Sequence, residues 1–209
     1  VKPTGSKVTS NENNEGATGT HAMAIGIDAS ASGTEGIAIG KAAVSTGATS
    51  ISMGKKSSAS GSSSIAIGQS AASSASNAIA LGSSTEASSN YTVALGHYAK
   101  ATALQGVAMG PYAKAEKDSS VAIGYFAKAT DGASNGVSIG RAASVTKSNG
   151  VALGYISVAD RSSGVTGYNP MTQTAPGASN TAIAQAWGFA DEYNTLNTQL
   201  SDTSLTTEQ

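Results

Sequence analysis

Large apolar and small side chains alternate in a short motif that recurs ten times along the chain. Each copy has a β-branched residue or Met, then Ala or Ser, then Ile, Leu or Met, and then a glycine. The ten glycines are Gly26, Gly40, Gly54, Gly68, Gly82, Gly96, Gly110, Gly124, Gly140 and Gly154, fourteen residues apart except for one step of sixteen. A short fixed period marks a unit that cannot bury its apolar face alone and must stack on copies of itself. The chain therefore predicts a solenoid, one coil per repeat.

Within a copy such as Ile37-Ala38-Ile39-Gly40 the two large residues lie two apart and share one face of a strand, with the middle residue on the other face. This places the Ile, Val and Leu pair toward the core. Small residues two apart follow five positions later, as at Ala29 and Ala31, Ala43 and Ser45, Ala99 and Ala101, and Ala113 and Ala115, and predict a second strand. Two strands and two tight turns fill the period, with the glycine giving the first turn its backbone freedom. Parallel stacking at about 4.8 Å makes ten coils a rod of roughly 45 to 50 Å. The sixteen-residue step, around Thr130 to Ala133, predicts two extra polar residues bulging from a turn.

The middle residue of the first strand is uniformly small. It is Ala24, Ala38, Ser52, Ala66, Ala80, Ala94, Ala108, Ala122, Ser138 and Ala152. Read as pointing away from the coil's own core, these ten positions predict close packing against neighbouring copies of the chain. Cyclic self-association adds burial to a thin solenoid.

Composition fits a repeat better than an ordinary globular core: 5% of the 209 residues are aromatic, 12% are charged and 25 are glycine. A net charge of −1 supplies no broad footprint for nucleic acid or anionic lipid, so neither is an expected partner. The chain has no cysteine, which excludes disulfides and thiolate metal sites. Neither a secretory apolar stretch at Val1 to Thr20 nor a run of about 20 apolar residues is present, so no direct membrane contact is expected from these residues.

The segments Ser119-Ser120-Val121-Ala122-Ile123-Gly124 and Ser63-Ser64-Ile65-Ala66-Ile67-Gly68 resemble the fourteen-residue head repeat of YadA-like trimeric autotransporter adhesins. The resemblance covers roughly residues 20 to 160. It implies an all-β, left-handed parallel β-roll in a homotrimer, displayed on a Gram-negative surface for attachment to host matrix protein or host-cell receptors. It also implies anchoring in the outer membrane through C-terminal parts that this chain does not contain.

Four segments follow: an irregular N-terminal segment or cap over 1–20, head repeats over 21–160, a head-closing junction over 161–181, and the start of a neck or stalk over 182–209. The junction resembles the family's at Ser157 to Arg161 and Gly167 to Pro170, although its usual basic neck sequence is missing. From Ala182 through Ala186, Phe189, Tyr193 and Leu196 to Leu200, steps of four and three form a short heptad seam. That seam fits a coiled coil, or an amphipathic helix folded on the end of the roll, and Gly188 weakens either.

Catalytic chemistry finds little support. Only His21 and His97 are present, without carboxylate patterning, and the serines fall at turns and outward positions. Lys41 and Lys55 follow glycines, but neither lies in a phosphate-binding loop and neither is directly followed by Ser or Thr. The sequon Asn90-Tyr91-Thr92 has meaning only in a eukaryotic secretory pathway. Neither a cofactor nor a metal is expected.

One stripe stands out. Tyr98, Tyr112 and Phe126 recur two residues after the glycine, and Lys100, Lys114 and Lys128 recur four after it. Both sets alternate with inward alanines and predict outward parallel ladders, a candidate ligand-binding surface. Like residues also stack along any solenoid, and a structural ladder with solvated lysines is the stronger reading of this stripe.

The leading reading is a non-enzymatic adhesin head that sums weak contacts by valency. A spacer without a ligand is the main alternative. A left-handed β-helix acyltransferase is disfavoured because fourteen is not a multiple of its six-residue rhythm, and an ice-binding solenoid because the outward positions mix Ser, Lys, Tyr and Thr.

Overall fold

The structure, a computed structural model, describes residues 15–161. They belong to one compact unit, Val1–Ser163; the other, Gly164–Gln209, lies outside the described residues. So do residues 1–14 of the expected cap, the expected junction beyond Arg161, and the seam from Ala182 to Leu200.

Strands β1 to β20 are numbered in chain order and contain two or three residues each, and no helix occurs among the described residues. They begin with β1 (Met23–Ile25) and β2 (Ser30–Ala31) and end with β19 (Val151–Leu153) and β20 (Val158–Ala159). All odd strands form one ten-stranded sheet and all even strands another, each in strict sequence order. Pairing is parallel and one repeat apart, as in Ile65↔Ile79, Ala66↔Ala80 and Ile67↔Leu81. This is a parallel β-solenoid of ten coils, as the period predicts. An isolated parallel bridge, Ala17↔Ala31, continues the even sheet by one more coil toward the N-terminus.

Each coil closes with two four-residue turns. In one coil the amide of Ala43 donates to the carbonyl of Gly40 at 3.2 Å, and that of Ser50 to the carbonyl of Gly47 at 3.3 Å. Gly40 has a φ of 127°, and a Cβ there would lie 2.8 Å from the carbonyl of Gly54 in the next coil. Both the backbone angle and the close stacking exclude a side chain. The third turn residue is left-handed too, with φ of 54° at Ala42 and at Thr49.

The sixteen-residue coil keeps this register. Val121 pairs with Val137 and Ala129 with Val145, so the two added residues are absorbed in the turn around Asp131 and Gly132, as expected.

The interior differs from the sequence expectation. Ala38, Ala66, Ala80, Ala94, Ala108, Ala122, Ser52 and Ser138 are fully enclosed within the single roll, and Ala24 and Ala152 are only 2% exposed. The flanking Ile, Val, Leu and Met residues point outward instead. These ten small residues therefore offer no surface to a neighbouring chain, and the expected interface at them is corrected. Strands of three and two residues joined by four-residue turns enclose a cross-section too thin for Ile or Leu, so the small residue must face inward. The second strand behaves as expected, with Ala29, Ala31, Ala43, Ala99, Ala101, Ala113 and Ala115 all buried.

Serine and threonine share this interior because their hydroxyls find nearby carbonyls. Thr85 Oγ1 donates to Gly82 O at 2.8 Å, Ser57 Oγ to Gly54 O at 2.9 Å, and Ser50 Oγ to Gly47 O at 2.7 Å, each bond bracing a turn. Hydroxyls satisfied in this way avoid the penalty of burial.

Candidate functional site

Two consecutive turn positions follow the repeat glycine, and the second is left-handed in every coil. At Tyr98, Tyr112 and Phe126 the φ values are 54°, 59° and 58°. Bulky residues seldom adopt that conformation. Here it projects each ring from the corner of the roll onto the ring one coil away. Tyr98 and Tyr112 stack with centroids 5.4 Å apart and planes 12° from parallel, and Tyr112 and Phe126 at 4.8 Å and 8°. The predicted aromatic ladder is formed.

The lysines take the first position of β12 (Lys100–Ala101), β14 (Lys114–Ala115) and β16 (Lys128–Ala129). Their partners are in register, Lys100↔Lys114 and Lys114↔Lys128, while Ala101, Ala115 and Ala129 turn inward. The three cations differ electrostatically. Lys100 Nζ lies 2.9 Å from Glu86 Oε2, and Lys114 Nζ lies 3.4 Å from Glu116 Oε1. Lys128 has no ion pair among the described residues. The hydrogen bond to Glu86 and its negative charge raise Lys100 above the ordinary lysine value, against a small opposing effect of burial.

A second aromatic row escaped the sequence reading, which tested only the position two after the glycine. The position directly after it carries His97, Tyr125, Arg141 and Tyr155. His97 meets Tyr98 edge-on at 4.4 Å, and Tyr125 meets Phe126 edge-on at 4.5 Å. The Arg141 guanidinium lies 5.9 Å from the Tyr125 ring centre and 5.4 Å from that of Tyr155. The stripe is thus two rows wide, with cations beside and between the rings. Such a surface binds by stacking and charge.

A second exposed feature is the outer face of the odd sheet. Two columns of Ile, Val, Leu and Met run along it, and even there Ile25, Leu153 and Val151 are 53%, 63% and 58% exposed.

The sequence pattern for the YadA head domain repeat (2 copies) matches residues 17–43, 45–71, 73–99 and 100–130, together more than half of the chain. The chain belongs to the YadA head family. The matches span the coils of Gly26 to Gly124, and membership carries an adhesin-type role; heads of this family are surface-exposed and non-enzymatic. Among solved structures, the chain is similar to the collagen-binding domain of the Yersinia adhesin YadA. Identity is 28% over 78% of each chain, with a TM-score of 0.33. No curated protein sequence matches. Among the described residues, no helix is long and apolar enough to cross a membrane.

Proposed function

We propose that this head attaches a bacterium to host extracellular-matrix protein or host-cell receptors, non-enzymatically and through multivalent contacts of the aromatic and lysine stripe. The observation that carries this reading is the continuous ring stack Tyr98–Tyr112–Phe126, with Tyr98 and Phe126 exposed and Tyr112 half-buried, beside the register-matched lysines. Protein recognition uses aromatic rings and cations together, and Lys128 of this row has no ion pair among the described residues. Repetition along the roll then turns weak single contacts into firm attachment.

Self-association belongs to the same proposal. The outward Ile, Val, Leu and Met columns of the odd sheet form a continuous apolar face, and contiguous exposed apolar surface marks an interaction site. An interior of Ala and Ser buries little apolar area per coil, so covering this face adds the burial that the roll lacks. Three chains meeting at these columns form a homotrimer whose stripes face outward. The trimer is held at the bacterial outer surface by membrane-anchoring parts of the kind found in this family.

Attachment of the purified chain to immobilised collagen, fibronectin and laminin, and to cultured host cells, tests the reading. Saturable attachment is expected. A folded trimer that bound none of these surfaces would leave the spacer role instead.

A further inference from the structure

The stack of rings ends abruptly after Phe126. In the next coil Ala142 takes the aromatic position and Ser144 takes the lysine position, with Lys128 paired to Ser144 in β18 (Ser144–Val145). The missing side chains leave a groove of about 370 Å³, walled by Tyr125 and Phe126 on one side and Tyr155 and Ile156 on the other. Lys128 and Arg141 line it, and neither has an acidic partner among the described residues. The groove lies mostly beyond residue 130, where the family match ends.

We infer that this groove binds an anionic saccharide, a sugar carrying a carboxylate or a sulfate. Tyr125 and Tyr155 are exposed aromatic side chains on the groove wall, of the kind that packs against the apolar face of a pyranose ring. Arg141 lies close to both of these rings, so its guanidinium is placed by their faces and is not consumed by a carboxylate. A planar guanidinium held in this way suits a two-oxygen anion. Lys128 supplies a second positive charge, and the Ser144 hydroxyl a partner for sugar hydroxyls. An extended acidic peptide fits less well. Strand backbones along the roll's flank are already paired from coil to coil, so no free edge remains there for a peptide main chain. The groove lines the turns that lead from the odd sheet to the even sheet. The inference depends on the adhesin reading only for the setting in which host glycans are met.

Calorimetric titration of the 209-residue chain with 3′-sialyllactose, a heparin-derived disaccharide, neutral lactose and a Glu-rich peptide tests it. At least one anionic sugar should bind with Kd below about 1 mM while lactose does not. Arg141→Gln and Tyr155→Ser should each weaken sugar binding about tenfold or more, with unchanged melting. Binding of 3′-sialyllactose shows that a carboxylate suffices, and binding of the heparin disaccharide alone, which carries both carboxylate and sulfate, points to sulfate. Absence of binding by either anionic sugar, binding that neither substitution alters, equal binding of lactose, or preferred binding of the acidic peptide would each overturn the assignment. Because the readout is sugar binding, its failure is separate from a failure of matrix attachment.

Discussion

Gly136 leaves room for Val145 in the interior: a Cβ on Gly136 would lie 2.9 Å from Val145 Cγ1, and 2.7 Å from the Ala133 carbonyl oxygen. Gly150 in the following coil makes the same allowance, at 2.8 Å. Val145 is the one fully buried side chain among the described residues larger than Thr, and the corresponding positions in earlier coils, such as Ala101, Ala115 and Ala129, are alanine. Interior volume is thus balanced locally between coils. Val145→Ala should cost about 2 kcal/mol by opening a cavity, and Gly136→Ala about 1 to 3 kcal/mol by overpacking. The double variant should recover part of the loss, because the new methyl group enters the space that valine leaves while its contact with the Ala133 carbonyl remains. Chemical denaturation of the four chains as a double-mutant cycle reads the coupling, and simple additivity would show that the two residues do not share one space.

Ser73 is the reverse case. Its Oγ is buried without a hydrogen-bond partner, while the equivalent residues Ala59 and Ala87 carry no hydroxyl. Ser73→Ala should therefore stabilise the roll by about 1 kcal/mol. A lowered melting temperature would contradict this account of the interior.

Outward and inward substitutions on one strand should have opposite consequences. Ala108→Leu forces a large side chain into a closed interior and should destabilise the roll itself by about 1 to 3 kcal/mol or more. Ile79→Glu with Val93→Glu changes only the outer columns and should leave folded, monomeric chains. Circular dichroism with light scattering distinguishes the two. A trimer that survived both glutamates would place the contact on another face.

Changing Tyr98, Tyr112 and Phe126 together to Ser should abolish attachment to matrix or cells and leave the β-roll intact, since these rings contribute nothing to the interior. Replacing Lys100, Lys114 and Lys128 should mainly alter the on-rate and salt sensitivity. In the proposed trimer, threefold display would enlarge even a loss of about 1 kcal/mol per site. A folded triple aromatic variant that attached as well as the parent would remove the stripe from the binding surface.

Lys100 gives a signed dependence on pH. Its value is raised by the hydrogen bond to and charge of Glu86, so its contribution to stability is complete below the unfolded lysine value of 10.5 and is lost as pH rises through the higher folded value. Both partners are about 40% exposed, which limits the pair to less than about 1 kcal/mol. The stability difference between the parent and Lys100→Met should be constant at neutral pH and shrink under alkaline conditions. A difference that grew with pH would reverse the sign.

The sequence by itself determined the coil count, the parallel stacking, the second strand's inward face, the turn that absorbs two extra residues, and the columns in which Tyr98, Tyr112 and Phe126 fall. Each follows from a period, and a period survives without coordinates. It did not determine which face of the first strand looks inward. Alternation in Ile65-Ala66-Ile67 separates two faces but assigns neither to the interior, and the usual preference for burying the larger residue gave the wrong one. Only the closed coil decided it, because strands this short joined by tight turns leave room for Ala66 and not for Ile67. The tertiary structure likewise brought Arg141 between Tyr125 and Tyr155. Those residues share a column after the glycine, but their contacts depend on how left-handed turn residues aim their side chains from one coil to the next.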